Sequence, residues 1–164
     1  MRRLITTLLL LAVIAASGCA HSQRTAVSTV RNAPCNILKE LSAARKTVWV
    51  AAYGIHSPAI VRELVKLHKS GVSVVVYLDR RSAMSKSTPI YILLNGDIRV
   101  LVKKKNTLNN RYMIIDGKEV IAGSYDFSPG ARRRDDSPEI IRHSPELVRL
   151  FTDDFQKMLA QAEL

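Results

Sequence analysis

The chain has 164 residues, 47% of them hydrophobic and 24% charged, and carries a formal net charge of +11. That length suits one globular domain and leaves no room for two large ones. The composition excludes collagen-like and wholly disordered chains, and two cysteines cannot build a disulfide scaffold. So positive a balance predicts a polyanionic partner such as nucleic acid, phospholipid headgroups or a wall polymer; the plainer alternative is a protein that is merely basic.

Met1-Arg2-Arg3 is a short basic start, Leu4 to Ala15 is an apolar run broken by Thr6 and Thr7, and the small residues Ala16, Ser17 and Gly18 lead to Cys19. Basic, apolar and small zones in that order make a secretory signal peptide, and the run is too short to serve comfortably as a permanent bilayer span. Ala16-Ser17-Gly18-Cys19 resembles the bacterial lipobox, with Ala in place of the usual Leu three positions before the cysteine. The resemblance implies removal of residues 1–18, lipidation of Cys19 and anchoring in the bacterial cell envelope. Ala20, not Asp, follows the cysteine, which favours the outer membrane facing the periplasm. Ordinary cleavage and release is the alternative. Residues 19–34 read as a polar tether and 35–164 as the folded domain. Cys35 is then the one free thiol, either bridging two copies or packing as a small buried hydrophobe.

Within the domain, Asn36 to Arg45 reads as a short helix with Ile37, Leu38 and Leu41 on one face. Thr47 to Tyr53 is a strand. Ser57-Pro58 starts a helix with a cap and a first-turn proline, Ile60, Val61, Leu64, Val65 and Leu67 form its stripe, and Gly71 stops it. Val72 to Leu78 is a second strand, residues 88–94 a helix ended at Asn95-Gly96, and Asp97 to Val102 a third strand. Strands apolar on both faces and joined by helices suit a parallel sheet covered on both sides. Tyr112 to Ile115 and Glu119 to Ala122 then form a hairpin around Asp116-Gly117, Ile140-Ile141 is a last short strand, and Ser144-Pro145-Glu146 opens a long amphipathic helix. The fold class is α/β: a mixed, mostly parallel sheet flanked by helices in a single domain.

Parallel strands bring their C-terminal ends to one edge, where open α/β sheets bind ligands. That edge carries Gly54-Ile55-His56, Asp79-Arg80-Arg81 and Lys103-Lys104-Lys105. The short segment 103–109 makes the next strand turn back from the same edge with Asn109 and Arg111. The hairpin lies at the far edge, and the returning strand delivers Gly123-Ser124-Tyr125-Asp126, followed by Arg132-Arg133-Arg134. Taken singly, each basic run is as readily a solvated face. Their convergence points to a phosphate site, which arginine holds bidentately and serine hydroxyls and turn N–H groups complete.

Asn109-Asn110-Arg111-Tyr112-Met113-Ile114-Ile115-Asp116, then six residues, then Gly123-Ser124-Tyr125-Asp126-Phe127, resembles the phospholipase D superfamily motif H-x-K-x4-D-x6-G-S-x-N. It resembles in particular the single-motif branch of bacterial nonspecific endonucleases and membrane-tethered phosphodiesterases, from about residue 33 to 160. The resemblance implies two motif copies facing each other, commonly across a homodimer, with one histidine attacking phosphorus and the other protonating the leaving oxygen. It also implies that the motif lysine and asparagine hold the phosphate, and that neither a metal nor a cofactor is needed.

Three positions depart from that pattern. Asn109 replaces the histidine, and an amide neither attacks phosphorus usefully nor shuttles a proton. Arg111 replaces the lysine, keeping the charge but changing its shape. Asp126 replaces the asparagine and puts a negative charge where phosphate should sit, unless it is protonated or pairs with Arg111. Asp116 lies five residues from Arg111, roughly 16 Å along a strand, and reads with Gly123 as a structural motif residue. His21 falls in the tether, His68 on an apolar helix side and His143 before the last helix, which leaves His56 as the one histidine placed to substitute. Asp135, Asp136, Glu139 and His143 fit no compact metal-ligand spacing. The candidate site is therefore Asn109, Arg111 and His56 for catalysis, with Arg111, Ser124, Asp126, Lys103, Lys105 and Arg80 for phosphate. Three functions remain open on this reading: a metal-independent phosphodiesterase, a non-catalytic module that captures nucleic acid or anionic phospholipid, or a partner subunit of an intact paralogue. The exchange at position 109 favours loss or strong reduction of the family's catalysis.

Overall fold

The computed structural model describes residues 26–29, 33–85, 89–104, 107–125, 127 and 138–163. The expected signal peptide, the expected lipidation site Cys19, Lys105, Asp126 and Arg132 to Arg134 lie outside the described residues. Twelve elements follow in chain order: β1 (Ala26–Thr29), α1 (Ala33–Ser42), β2 (Thr47–Ala52), α2 (Pro58–Lys69), β3 (Ser73–Asp79), α3 (Arg80–Ala83), α4 (Ile90–Asn95), β4 (Arg99–Lys103), β5 (Arg111–Ile115), β6 (Glu119–Gly123), β7 (Pro138–Arg142) and α5 (Pro145–Glu163). The strands form one seven-stranded sheet in the order β1-β7-β6-β5-β2-β3-β4. β2, β3 and β4 are parallel, and β5, β6, β7 and β1 join antiparallel.

The alternation of β-strand side chains divides the interior into two cores. On one face Val48, Val50, Ala52, Val76, Leu78 and Met113 pack under α1, α2 and α4. On the other, Trp49, Ala51, Tyr77, Tyr112 and Ile114 pack under α5. There the Trp49 and Phe155 rings stack at 5.2 Å, and Tyr112 meets Phe151 edge-on at 5.0 Å. β2 and β3 are covered on both sides, which is why their sequences are nearly continuous in apolarity.

The local signals perform as the physics requires. Ser57 caps α2 by accepting from the Ile60 N–H, Pro58 occupies its first turn, and Gly71, at φ +95°, follows its end. Asp116 and Gly117 both have positive φ, the geometry of the tight turn that Asp-Gly favours between strands.

Three expectations need correction. The sheet is mixed but not mostly parallel: four of its six strand pairings are antiparallel, because the hairpin and the strands beyond it return without helical crossovers. Within the expected tether, Ala26–Thr29 forms an edge strand against β7, and α1 begins at Ala33, three residues before the expected helix start. Four residues are too few to show a period, so their strand character comes from the partner they pair with. Cys35 is exposed, so it is not a buried hydrophobe.

Candidate functional site

Strand register places the candidate residues at one edge of the sheet. Ala52, the last residue of β2, pairs with Arg111, the first of β5. Ala52 also pairs with Leu78, Asp79 pairs with Lys103, and Gly123 pairs with Pro138. The ends of β2, β3, β4 and β6 and the start of β5 therefore share this edge, as the topology argument requires.

They do not all share one pocket. Arg111 lines a cleft of about 250 Å³ with Tyr53, Gly54 and His56. Its Nε atom is buried and has no hydrogen-bond partner among the described residues. A buried donor of a permanently charged guanidinium is costly to leave unmet and is suited to an incoming oxyanion. On the α5 side Arg111 also borders a larger groove of about 710 Å³, shared with Asn109, Gly123, Leu150 and Phe151. Asn109 is exposed at its rim. Arg80 follows the end of β3 and Lys103 is the last residue of β4, two and three strands from β5 and about 10 and 14 Å across the sheet at normal strand spacing, so neither lines the cleft. The Lys103 ammonium donates to the Thr107 carbonyl at 3.5 Å.

The parity of the motif strand is set from outside the motif. The Tyr112 hydroxyl and the Asn110 amide both donate to Oδ2 of Asp154 on α5, at 2.7 and 3.0 Å. Burial raises the Tyr112 pKa far above its ordinary value, and the bond to the Asp154 carboxylate raises it further. Holding residues 110 and 112 toward α5 sends Arg111 to the opposite face, beside Ala52 and the His56 loop. Asp79 anchors the preceding segment in a similar way. One of its carboxylate oxygens accepts from the Arg81 N–H and the other from the Leu108 N–H, each at 2.8 Å, docking the residues before Asn109 onto the end of β3. The carbonyl of Phe127 accepts from the N–H groups of His56 and Ser57 at 3.1 and 2.8 Å, so the segment after Gly123-Ser124 holds the β2–α2 loop. Gly123 has φ +137°, a conformation glycine adopts and side-chain-bearing residues avoid.

Asp116 lies at the far edge, as expected for a turn residue, and its role is defined by three donors. The backbone N–H groups of Arg45, Lys46 and Thr47 donate to its carboxylate at 2.9, 2.7 and 3.0 Å. Burial pushes its pKa up, but those three bonds, helped by the Lys118 charge, outweigh burial and hold it below the ordinary value. His68 places Nδ1 3.3 Å from the Val72 carbonyl, and His143 is exposed and borders a cleft lined by Gly117 and Lys118, at the edge away from Arg111.

Asp154, the carbonyl of Phe127 and the buried Ser82 were not legible in the sequence. Asp154 sits on the polar side of an amphipathic pattern between Phe151 and Phe155, and nothing local distinguishes it from a solvated carboxylate. Among the described residues there is no group of three or more His, Cys, Asp or Glu arranged to hold a metal ion, and no helix is long and apolar enough to cross a membrane.

Comparison with known proteins converges on one family. Residues 37–159 match the model described as "Cardiolipin synthase, PLD-like domain". The phospholipase D of Rickettsia bellii is 30% identical over 130 residues, which cover 76% of this chain and 65% of that protein, so the match stops short of two thirds of the relative's length. The mitochondrial cardiolipin hydrolase of Danio rerio is 27% identical over 124 residues, 74% of this chain and 55% of that protein. Among solved structures, the phospholipase D family member Nuc from Salmonella typhimurium superposes with a TM-score of 0.74 at 21% identity, covering 84% of this chain and 94% of that one. NucT from Helicobacter pylori gives 0.73 at 22% identity, covering 84% and 96%. At those identities the structures establish the fold.

Proposed function

This chain belongs to the phospholipase D-like family, and from that premise we propose that it is an envelope-anchored protein that captures phosphodiesters and has lost the family's phosphohistidine chemistry. The observation that carries this reading is Arg111 lining the small cleft with Tyr53, Gly54 and His56, at a motif that carries Asn109 where the imidazole is called for. A carboxamide has no basic lone pair for attack on phosphorus, so the covalent step has no nucleophile at that position. The retained cation, with Arg80 and Lys103 further along the same edge, still favours a phosphate. The ligand is a phosphodiester polyanion, either nucleic acid or anionic phospholipid; relatives carry the names phospholipase D and cardiolipin hydrolase. Lipidated Cys19 would hold the domain at the bacterial envelope, on the outer membrane facing the periplasm.

Titration of fluorescent single-stranded DNA and of phosphatidylglycerol vesicles against rising salt tests this. Affinity should fall steeply and linearly on logarithmic axes, because binding releases counterions. Arg111→Gln should cost about 1.5–3 kcal/mol, a loss of about ten- to a hundredfold, the worth of a hydrogen bond to a charged group. Absent or salt-insensitive binding of both probes, or a phosphohistidine adduct on this chain, would refute the reading.

A further inference from the structure

His56 is built into the Arg111 cleft by contacts from three parts of the chain. Its ring lines that cleft together with Tyr53, Gly54 and Arg111. Gly54 makes room for it: a Cβ there would lie 2.8 Å from Nε2 of His56 and 2.0 Å from Oγ of Ser82, so imidazole and hydroxyl occupy space that any side chain would take. Ser82 is 2% exposed, and its hydroxyl adjoins the same space above Gly54 that the ring does. The backbone of His56 is in turn held by the Phe127 carbonyl, next to the Gly123-Ser124 segment. The imidazole is thus placed by the β2–α2 loop, by α3 and by the segment after β6, and none of these is the motif position that lost its histidine.

We propose that His56 is the proton-handling residue of this site and acts as general base in a direct, single-step hydrolysis of a phosphodiester held by Arg111. This rests on the phosphodiester reading above and adds a reaction to it. The neutral imidazole takes a proton from a water molecule, the water oxygen forms the new bond to phosphorus, and the ester P–O bond breaks with its electron pair going to the leaving oxygen. That oxygen takes a proton from solvent, and the imidazolium returns its own to solvent. One diester and one water give one monoester and one alcohol. No phosphoryl-enzyme forms, so the step does not need the nucleophile that Asn109 cannot supply. Arg111 supplies charge to the phosphate oxygens, and Gly54 and Ser82 are positioning residues.

The test uses the full-length protein in chelator with bis(p-nitrophenyl) phosphate as substrate, and fluorescent single-stranded DNA as a parallel binding probe. Slow turnover is expected, without an acid-labile phosphoenzyme at any time point. His56→Gln, which keeps a polar side chain but has no basic nitrogen to accept a proton, should lower kcat about a hundredfold or more, the scale of general-base catalysis, with DNA binding retained. Gly54→Ala should lower kcat through displacement of the ring, and the control His143→Gln should leave it unchanged. Wild-type protein without turnover, turnover indifferent to His56→Gln, or a trapped phosphoenzyme would each overturn the inference. If DNA binding persists in the first two cases, the phosphodiester reading stands without it; a trapped phosphohistidine overturns that reading as well, and if the wild type binds neither DNA nor anionic vesicles, both fall.

Discussion

Asp116 shows how a motif position can serve architecture at a distance from the chemistry. Its carboxylate accepts three consecutive backbone N–H groups where the chain enters β2. Satisfying those donors starts the central strand in register with β5, and its own N–H donates back to the Thr47 carbonyl at 2.8 Å. Asp116→Asn offers one acceptor oxygen and no charge, and should destabilise the protein by about 1 kcal/mol in chemical denaturation, the net worth of such bonds where water can reach the Arg45 and Lys46 donors. The sign of the pH dependence follows from a folded pKa below the unfolded one. The stabilisation is fully present above the ordinary carboxylate pKa and is lost as pH falls through the lowered folded value. Denaturation midpoints measured from neutral pH down to pH about 3, a range that spans an unperturbed aspartate, should decline more steeply for the wild type than for Asp116→Asn.

At the scale of elements, α5 both covers one core and orients the strand that carries Arg111. Phe151, Phe155 and Met158 supply the apolar cover, which the helical spacing makes plain, while Asp154 supplies two hydrogen bonds that nothing in the spacing announces. Asp154→Asn removes the carboxylate that Tyr112 and Asn110 share. Its expected signature is spectroscopic: burial raises both Tyr77 and Tyr112 above the ordinary tyrosine range, and in ultraviolet titration the variant should bring Tyr112 part of the way down while leaving Tyr77 unchanged. Because the Tyr112 pKa is raised on folding, the stability it contributes is present below the unfolded tyrosine pKa and is lost as pH rises through the folded one. The same substitution should weaken phosphodiester binding, since it loosens the anchor that sends Arg111 to the cleft. If binding were unchanged, Asp154 would be confined to packing.

Across the whole molecule, the far edge of the sheet is fastened by charge while the near edge holds the site. Arg142 on β7 pairs with Glu119 on β6, Nε to Oε2 at 2.7 Å, and with Glu40 on α1, so one guanidinium joins three elements. Burial raises the Glu119 pKa and the neighbouring Glu40 charge raises it again, against the lowering effect of Arg142. Arg142→Gln leaves two carboxylates facing each other. It should destabilise the fold at neutral pH, with the deficit shrinking in acid as Glu119 takes up its proton. Thermal unfolding of the variant and wild type at neutral and acidic pH checks this; a deficit that grew in acid would contradict the network. β1 forms one lateral border of the sheet by pairing with β7. It leaves β4 as the other outer strand, beside the basic loops.

The sequence alone determined the α/β class, the parallel β2-β3-β4 core, the Asp-Gly hairpin and the edge at which the basic loops meet. These follow from local periodicity, capping and turn chemistry, together with the rule that parallel strands expose their ends together. It also determined that an amide stands at position 109, because that is a matter of residue identity at motif spacing. Tertiary structure decided the rest. It brought His56 and Arg111 into one cleft while leaving Arg80 and Lys103 further along the edge, turned Ala26–Thr29 into a strand, and gave Asp154 and Ser82 their work. Each of those depends on contacts between residues far apart in the chain, where a hydrogen bond or a missing Cβ fixes a direction that no run of neighbouring residues encodes.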